Sequence, residues 1–426
     1  MYIKDIIRKK RQKKELNNEE IEFFVQSFFK EEISEAQASA LMTLMFQCGL
    51  SERETIDLAE SMAETGDELE FYRISNKFTD IHPLGGISDK IIIMIMVILN
   101  AMEIPTGKVI GRELGLTDRL ISVSGVQIDT DKEQFKEKIA NGKIGILKGS
   151  RNIAPVENRM YRMRNEIACD GNLPLIISSI MSQKYALGFW NIFFEITYGD
   201  NAFVKSFEDA KNMANYLVKL GKKSRRNIGC AVTKLNQPTG RCFGNLIELH
   251  EIYEMFTEKM EEDVEEEIVK YVSKIMEISG YSGDINKNKR LILDVINSKK
   301  AVDSFKKMIY DYGGEFKDIE NDVKTKYIIP VIAKDSGYIE EIDVNLLRGI
   351  AQNLNAIRIS ELDSFDIGAG IKINKKVGEY LRAGEICAYV YTNNEIKISN
   401  AVSKTAEIFK LSENKIKKKA KVEYII

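Results

Sequence analysis

Apolar residues recur at intervals of three and four over the first seventy residues. In ASALMTLMFQCGL the positions Leu41, Leu44, Met45 and Cys48 would line one buried helical face, and Gly49 would end that helix. Ser34 with Gln37, and Ser51 with Glu54, have the capping-box spacing, in which each residue of the pair satisfies an orphan backbone N–H of the other. A helical N-terminal region follows from these signals.

From about residue 71 the pattern changes to short apolar runs separated by glycines and helix starts, as an α/β layer requires. GKIGIL (142–147), LGFWNIFFEITYG (187–199) and RRNIGCAVTKL (225–235) read as buried strands, and FEDAKNMANYLVKLGKK as an amphipathic helix. The run IIIMIMVIL admits a strand or a buried helix. Ser88-Asp89 as a cap, and a length that reaches Met102, favour the helix. Residues 159–186 read as helical around Pro174, and EEDVEEE (261–267) as a solvated helix face. After Tyr327 strands punctuated by Gly337, Gly378 and Gly384 predict a small β-rich region, and the closing KIKKKAK reads as a solvated tail. The expected fold class is therefore α/β plus all-α: a small helical domain, a large α/β lobe with a mixed sheet, and a C-terminal α+β subdomain.

Composition removes several function classes. With 426 residues, two or three domains are expected. The 62 Lys+Arg against 64 Asp+Glu generate no field that would draw in nucleic acid or an anionic membrane. The longest apolar run, at 91–99, is half the roughly 20 residues that span a bilayer, and MYIKDIIRKKRQKK lacks the apolar core of a signal peptide. A cytoplasmic protein with a small-molecule partner is expected. The five cysteines (Cys48, Cys169, Cys230, Cys242, Cys387) form no CxxC, so buried free thiols are expected, with no metal and no cofactor. Only His82 and His250 could serve histidine chemistry, and neither neighbours a nucleophile elbow.

The stretch TDIHPLGGISDKIIIM holds two adjacent glycines before a helix start, a backbone device for holding an anion. The side chains around it are Ile81, Pro83 and Leu84, which cannot bind one. Tyr161 and Arg164 stand at i and i+3, so they share a helix face and can converge on one ligand.

The block RMYRMRNEIACDGNLPLIISSIMSQK resembles the thymidine and pyrimidine-nucleoside phosphorylases, whose pattern there is Tyr-x-x-Arg followed by SxPLIxSSIMSKK. The resemblance runs almost end to end: MYIKDIIRKKRQKKELNNEEIEFFVQ, ISVSGVQID, NAFVKSFEDAKNMANYLVKLGKK, NQPTGRCFGNLIELHE and KINKKVGEYLRAGEICAYVYTN are each similar to a family segment, in the family order. It implies a homodimer of nucleoside-handling subunits with residues 1–68 plus 158–190 as the helical domain. Residues 71–157 plus 191–326 would be the α/β lobe, and 327–426 the C-terminal subdomain, with a cleft that closes on substrate. The implied reaction is phosphorolysis of a pyrimidine nucleoside, a step in pyrimidine salvage. The C-terminal segment is also similar to lipoyl and biotinyl domains, but no lysine sits at the hairpin tip that such carriers modify.

For the base, the resemblance implies Tyr161, Arg164, Ser179 and His82, with Gln183 where the family has a lysine; His82 and Arg164 would be catalytic. For the phosphate, the family's Lys-His-Ser-Thr-Gly-Gly becomes Ile81-His82-Pro83-Leu84-Gly85-Gly86, and two further hydroxyl positions become Ile92 and Ile110. The family's monovalent-cation positions match Ser88, Lys90, Thr239, Cys242 and Glu251. An ammonium at Lys90 would stand where the cation does and pair with Glu251, the alternative being a lysine that points into water. Three functions are compatible with these residues. One is a pentosyltransferase-type enzyme re-tuned to water or another acceptor, and another is a non-catalytic nucleoside-binding protein. The third is a true phosphorylase whose phosphate ligands are Lys108, Arg112, Thr117 and Arg119.

Overall fold

The computed structural model describes the chain except residues 68, 70–74, 86–88, 111–114, 129–130, 150–151, 170, 359, 361 and 417–419. Its internal contacts divide it into two compact units. The first comprises residues 1–78, 149–191 and 215–228; the second comprises 79–148, 192–214 and 229–426.

The first unit is helical. Helices Asn18–Phe29, Glu35–Cys48 and Glu52–Ala63 each begin with a complete capping box, at Asn17/Glu20, Ser34/Gln37 and Ser51/Glu54. Gly49, at φ 75°, ends the second of them. Their inner faces share one core with helices Pro155–Glu166 and Leu173–Ala186, in which Phe24, Phe28, Leu41, Met45, Leu58 and Met160 are buried. Glu54 does more than cap. Its Oε2 accepts Ser51 N–H at 2.9 Å, while Oε1 accepts Lys10 Nζ at 2.7 Å and Leu16 N–H at 2.9 Å. Both Lys10 and Glu54 are buried.

The second unit is built on a four-stranded sheet in the order Thr79–Leu84, Asn191–Tyr198, Asn227–Lys234, Val422–Ile425, with the last pair antiparallel. A separate parallel pair joins Gly107–Ile110 to Gly145–Lys148. The run IIIMIMVIL is a helix, Asp89–Ala101, and it is buried from Lys90 to Leu99 because helices Leu246–Thr257, Glu262–Ile278, Ile285–Asn297 and Lys300–Asp311 all pack on it. A helix enclosed on every side is apolar on every side, which is why its sequence shows no helical stripe. Residues 327–426 fall in this unit but have a hydrophobic cluster of their own around Val331, Ile339, Leu347, Ile371, Ala388 and Val390. Two antiparallel sheets surround it. One runs Cys242–Gly244, Gly370–Ile373, Ile386–Thr392, Tyr327–Ile332; the other runs Tyr380–Leu381, Gly337–Ile342, Phe409–Ser412.

Two charge runs depart from the solvated reading. Glu267, within EEDVEEE, is fully buried and accepts from Lys421 Nζ at 3.0 Å; Lys421, from KIKKKAK, is buried too and also donates to Thr239 Oγ1 at 2.6 Å. Glu267 lies on the same helix face as Val264, Ile268 and Tyr271, so the helical period places it inward, and a cation distant in sequence neutralises it there. Four cysteines are buried free thiols, and Cys48 is half-buried.

Replacing Glu54 with alanine removes a cap and strands the buried Lys10 ammonium. The expected loss of stability is about 3–5 kcal/mol, measured as a shift of the urea unfolding midpoint followed by far-UV circular dichroism. A loss under about 1 kcal/mol, the worth of an exposed pair, would show that this ion pair is not the buried tie of the helical unit.

Candidate functional site

Two groups of residues stand out, one in each unit. In the helical unit, Pro155 starts one helix and Asn172 caps the other, its side chain accepting Leu175 N–H at 3.3 Å. Tyr161 and Arg164 share a face of the first helix, with the guanidinium carbon 5.8 Å from the ring centre. Ser179 and Gln183 share a face of the second, one turn apart. Arg164 Nη2 donates to Ser179 Oγ at 3.1 Å, Ser179 Oγ donates to Glu157 Oε1, and Gln183 Nε2 donates to Glu157 Oε2 at 3.2 Å. All four predicted positions of this unit therefore belong to one side-chain cluster, and Glu157 ties it together. Glu157 belongs to no recognisable motif, although the spacing 157, 161, 164 already puts it on the face of Tyr161 and Arg164. Arg164, Ser179 and Glu157 are buried, Gln183 is half-buried and Tyr161 is exposed.

In the α/β unit, the strand Thr79–Leu84 runs into Gly85, whose φ of 80° is left-handed; a Cβ there would come within 2.9 Å of Thr197 Oγ1. Both facts call for glycine. Gly86, Ser88 and Arg112 lie outside the described residues. His82 is half-buried, with its ring edge-on to Phe194 at 5.6 Å between centres. Pro83 and Leu84 are half-buried beside it. Ile81, Ile92 and Ile110 do not line an open apolar pocket. All three are buried in the same core cluster, alongside Ile93, Ile146 and Phe193. Their branched side chains form part of the packing of the lobe.

Several buried charged residues of this unit are paired with one another. Lys90 Nζ donates to Thr239 O at 3.0 Å, to Cys242 O at 2.9 Å and to Glu251 Oε2. The other Glu251 oxygen accepts Cys242 N–H at 3.1 Å and Arg241 N–H. Burial opposes the charge on Lys90, but the Glu251 and Glu248 carboxylates outweigh it and hold the ammonium above the ordinary lysine value. Arg119 forms a two-pronged pair with Glu248, at 2.7 and 2.9 Å, and reaches Asp89 at 3.1 Å. Burial works against its charge too, and again the carboxylates, Glu248 first and then Asp89, raise its pKa. Lys108 Nζ donates to Ile81 O and lies 3.6 Å from Asp80. Thr117 is buried, and the neighbouring Asp118 is held by Arg358, with Nε to Oδ1 at 3.1 Å. Lys108 and Arg119, the two described cations among the alternative phosphate ligands, are thus already engaged inside the protein. Among the described residues no group of three or more His, Cys, Asp or Glu could hold a metal ion, and no helix is long and apolar enough to cross a membrane.

A model described as the glycosyl transferase family a/b domain matches residues 75–302, one for the helical bundle domain of the same family matches 4–66, and one for the pyrimidine nucleoside phosphorylase C-terminal domain matches 338–412. A pyrimidine-nucleoside phosphorylase of Staphylococcus epidermidis is 31% identical over 402 residues, 93% of each chain. One from Staphylococcus aureus is 30% identical over the same length and share. Among solved structures, anthranilate phosphoribosyltransferase from Thermus thermophilus superposes with a TM-score of 0.53 at 16% identity, covering 71% of this chain and 98% of that one. At that identity the likeness is one of fold.

Lys90→Met should cost about 3–5 kcal/mol, because the Glu251 carboxylate would stay buried without its cation. Thermal unfolding by calorimetry reads the loss. A change below about 1 kcal/mol would mean that Lys90 contributes no more than a surface lysine.

Proposed function

Because the chain belongs to the pyrimidine-nucleoside phosphorylase family, we propose that it takes a nucleoside or nucleobase on the Tyr161, Arg164, Ser179 and Gln183 cluster. Its chemistry is cleavage or transfer at the N-glycosidic bond, with ordinary phosphate-dependent phosphorolysis weak or absent. The family's own reaction supports the reaction class, and the resemblance supports a cytoplasmic homodimer.

One observation carries the phosphate half of the reading. Lys108 and Arg119 are committed to Ile81 O, Asp80, Glu248 and Asp89, while Ile81, Ile92 and Ile110 are core residues. A phosphate dianion brought there would have to break a buried ion pair or lie unpaired against carbon, at a cost on the order of several kcal/mol. The base half rests on Arg164, the cation of its cluster. A departing base carries negative charge, and Arg164 is the group that can meet it there; the resemblance also gives His82 a catalytic role. Gln183 supplies no charge, and Glu157 beside it offsets part of what Arg164 supplies. That weaker electrostatic push favours, as a second reading, a protein that binds a nucleoside without cleaving it.

Lys90 completes the proposal. Its ammonium meets two carbonyls and one carboxylate, the kind of oxygen set that a monovalent cation takes, so the loop around Thr239 is held without a metal ion. Lys90→Thr should then gain thermal stability in potassium chloride over choline chloride at equal ionic strength, while the parent protein shows no difference. A parent protein stabilised specifically by potassium would contradict this.

The decisive assay follows free base released from uridine, thymidine and deoxyuridine, with and without phosphate. Phosphate-dependent turnover is expected below about 0.01 s⁻¹, against about 1–1000 s⁻¹ for ordinary enzymes. Turnover in that ordinary range with phosphate would overturn the reading. Release that ignores phosphate would identify water as the acceptor. No release, with a thermal shift by a nucleoside, would identify the binding protein.

A further inference from the structure

The proposed base cluster also indicates which base it takes, an inference that rests on the nucleoside-handling reading above. Glu157 is buried and accepts two hydrogen bonds from the neighbouring helix: Ser179 Oγ donates to one oxygen and Gln183 Nε2 to the other, at 3.2 Å. Both Glu157 oxygens accept, so the Gln183 amide stands with its nitrogen toward Glu157 and Oε1 away. Gln183 Oε1 makes no hydrogen bond to any described residue, and the side chain is half-buried, within reach of a ligand. Ser179 has given its only proton to Glu157 and accepts from Arg164 Nη2 at 3.1 Å, which leaves one lone pair on its oxygen. Two oxygen acceptors therefore stand one turn apart on the same helix face, next to the Arg164 donors.

We propose that Gln183, oriented by Glu157, selects a pyrimidine bearing an exocyclic amino group, a 4-amino-2-oxopyrimidine, over the 2,4-dioxopyrimidines. The number of hydrogens on each base decides between them. An amino group carries two N–H bonds and can satisfy both acceptors. A dioxopyrimidine in a nucleoside carries one N–H, flanked by carbonyls on both sides. Against the same two acceptors it satisfies one and sets a carbonyl oxygen against the other, leaving both oxygens unpaired. Sites built of buried polar groups reject such mismatches more strongly than they reject small differences in shape. A lysine at position 183 would present only donors and would favour the carbonyl-bearing bases. Glu157 acts here as a positioning residue and Gln183 as the one that reads the base.

The test is calorimetric binding of cytosine, cytidine, uracil and uridine to the full-length protein. Cytosine and cytidine are expected to bind about tenfold or more tightly than their uracil counterparts. Gln183→Lys should reverse that order. Glu157→Gln should bring the ratio towards one by freeing the amide to rotate, and Glu157→Asp should retain part of it. A merely structural role for Glu157 would weaken all four ligands alike and leave the ratio unchanged. Uracil or uridine binding the parent protein as tightly as the amino compounds would overturn this inference and leave the nucleoside-handling reading standing. Binding of none of the four would overturn both.

Discussion

The α/β unit depends on a charge taken out of water. Lys90 has its ammonium buried among Thr239 O, Cys242 O and the Glu251 carboxylate, and an ion in that position is stable only while all of its oxygen partners stay in place. The constraint reaches past one side chain. Asp89 and Lys90 are consecutive at the start of a fully enclosed helix, and they meet Arg119 and Glu251; Glu248, one turn before Glu251, closes the circuit with Arg119. Glu248 and Glu251 also accept backbone N–H groups at Gly244 and Cys242. Two adjacent residues of one helix thus hold the strand at Cys242–Gly244 and the helix after it in a single arrangement.

That arrangement gives the two candidate regions opposite electrostatic characters. In the α/β unit Lys90, Lys108 and Arg119 are each engaged by carboxylates or carbonyls, and Ile81, Ile92 and Ile110 lie in the core beside them. In the helical unit the partners are of another kind: Arg164 donates to the Ser179 hydroxyl, and the Gln183 amide donates to Glu157. The first region is held by buried ion pairs, the second by hydrogen bonds among Arg164, Ser179, Gln183 and Glu157.

Much of the architecture was legible in the chain. Capping boxes and helical stripes are local, since the residues that make them lie within a turn of one another; Ser34/Gln37, Ser51/Glu54 and Gly49 are where those signals put them. The enclosed helix at Asp89–Ala101 was harder, because burial on all sides erases the period and leaves only length and a cap to decide. Charge runs misled for a related reason. A run of glutamates reads as solvated until a partner is found, and Lys421, which neutralises Glu267, is more than a hundred residues away. Glu157 was overlooked because one carboxylate among many is not a signal until the side chains that converge on it are known.

The order of the chain by itself determined the class of fold, the helical face that carries Tyr161 and Arg164, and the apolar character of the residues before Gly85, since each is written in residue types and short spacings. Only the tertiary structure decided where those side chains go. It put Ile81, Ile92 and Ile110 into one core, joined Arg119 to Glu248 and Lys90 to Glu251, and turned the Gln183 amide toward Glu157. The physical reason is range. Backbone hydrogen bonding and amphipathic periods are set within a few residues, whereas the neutralisation of a buried charge and the direction of a buried amide depend on whichever distant groups the folded chain brings within about 3 Å of them.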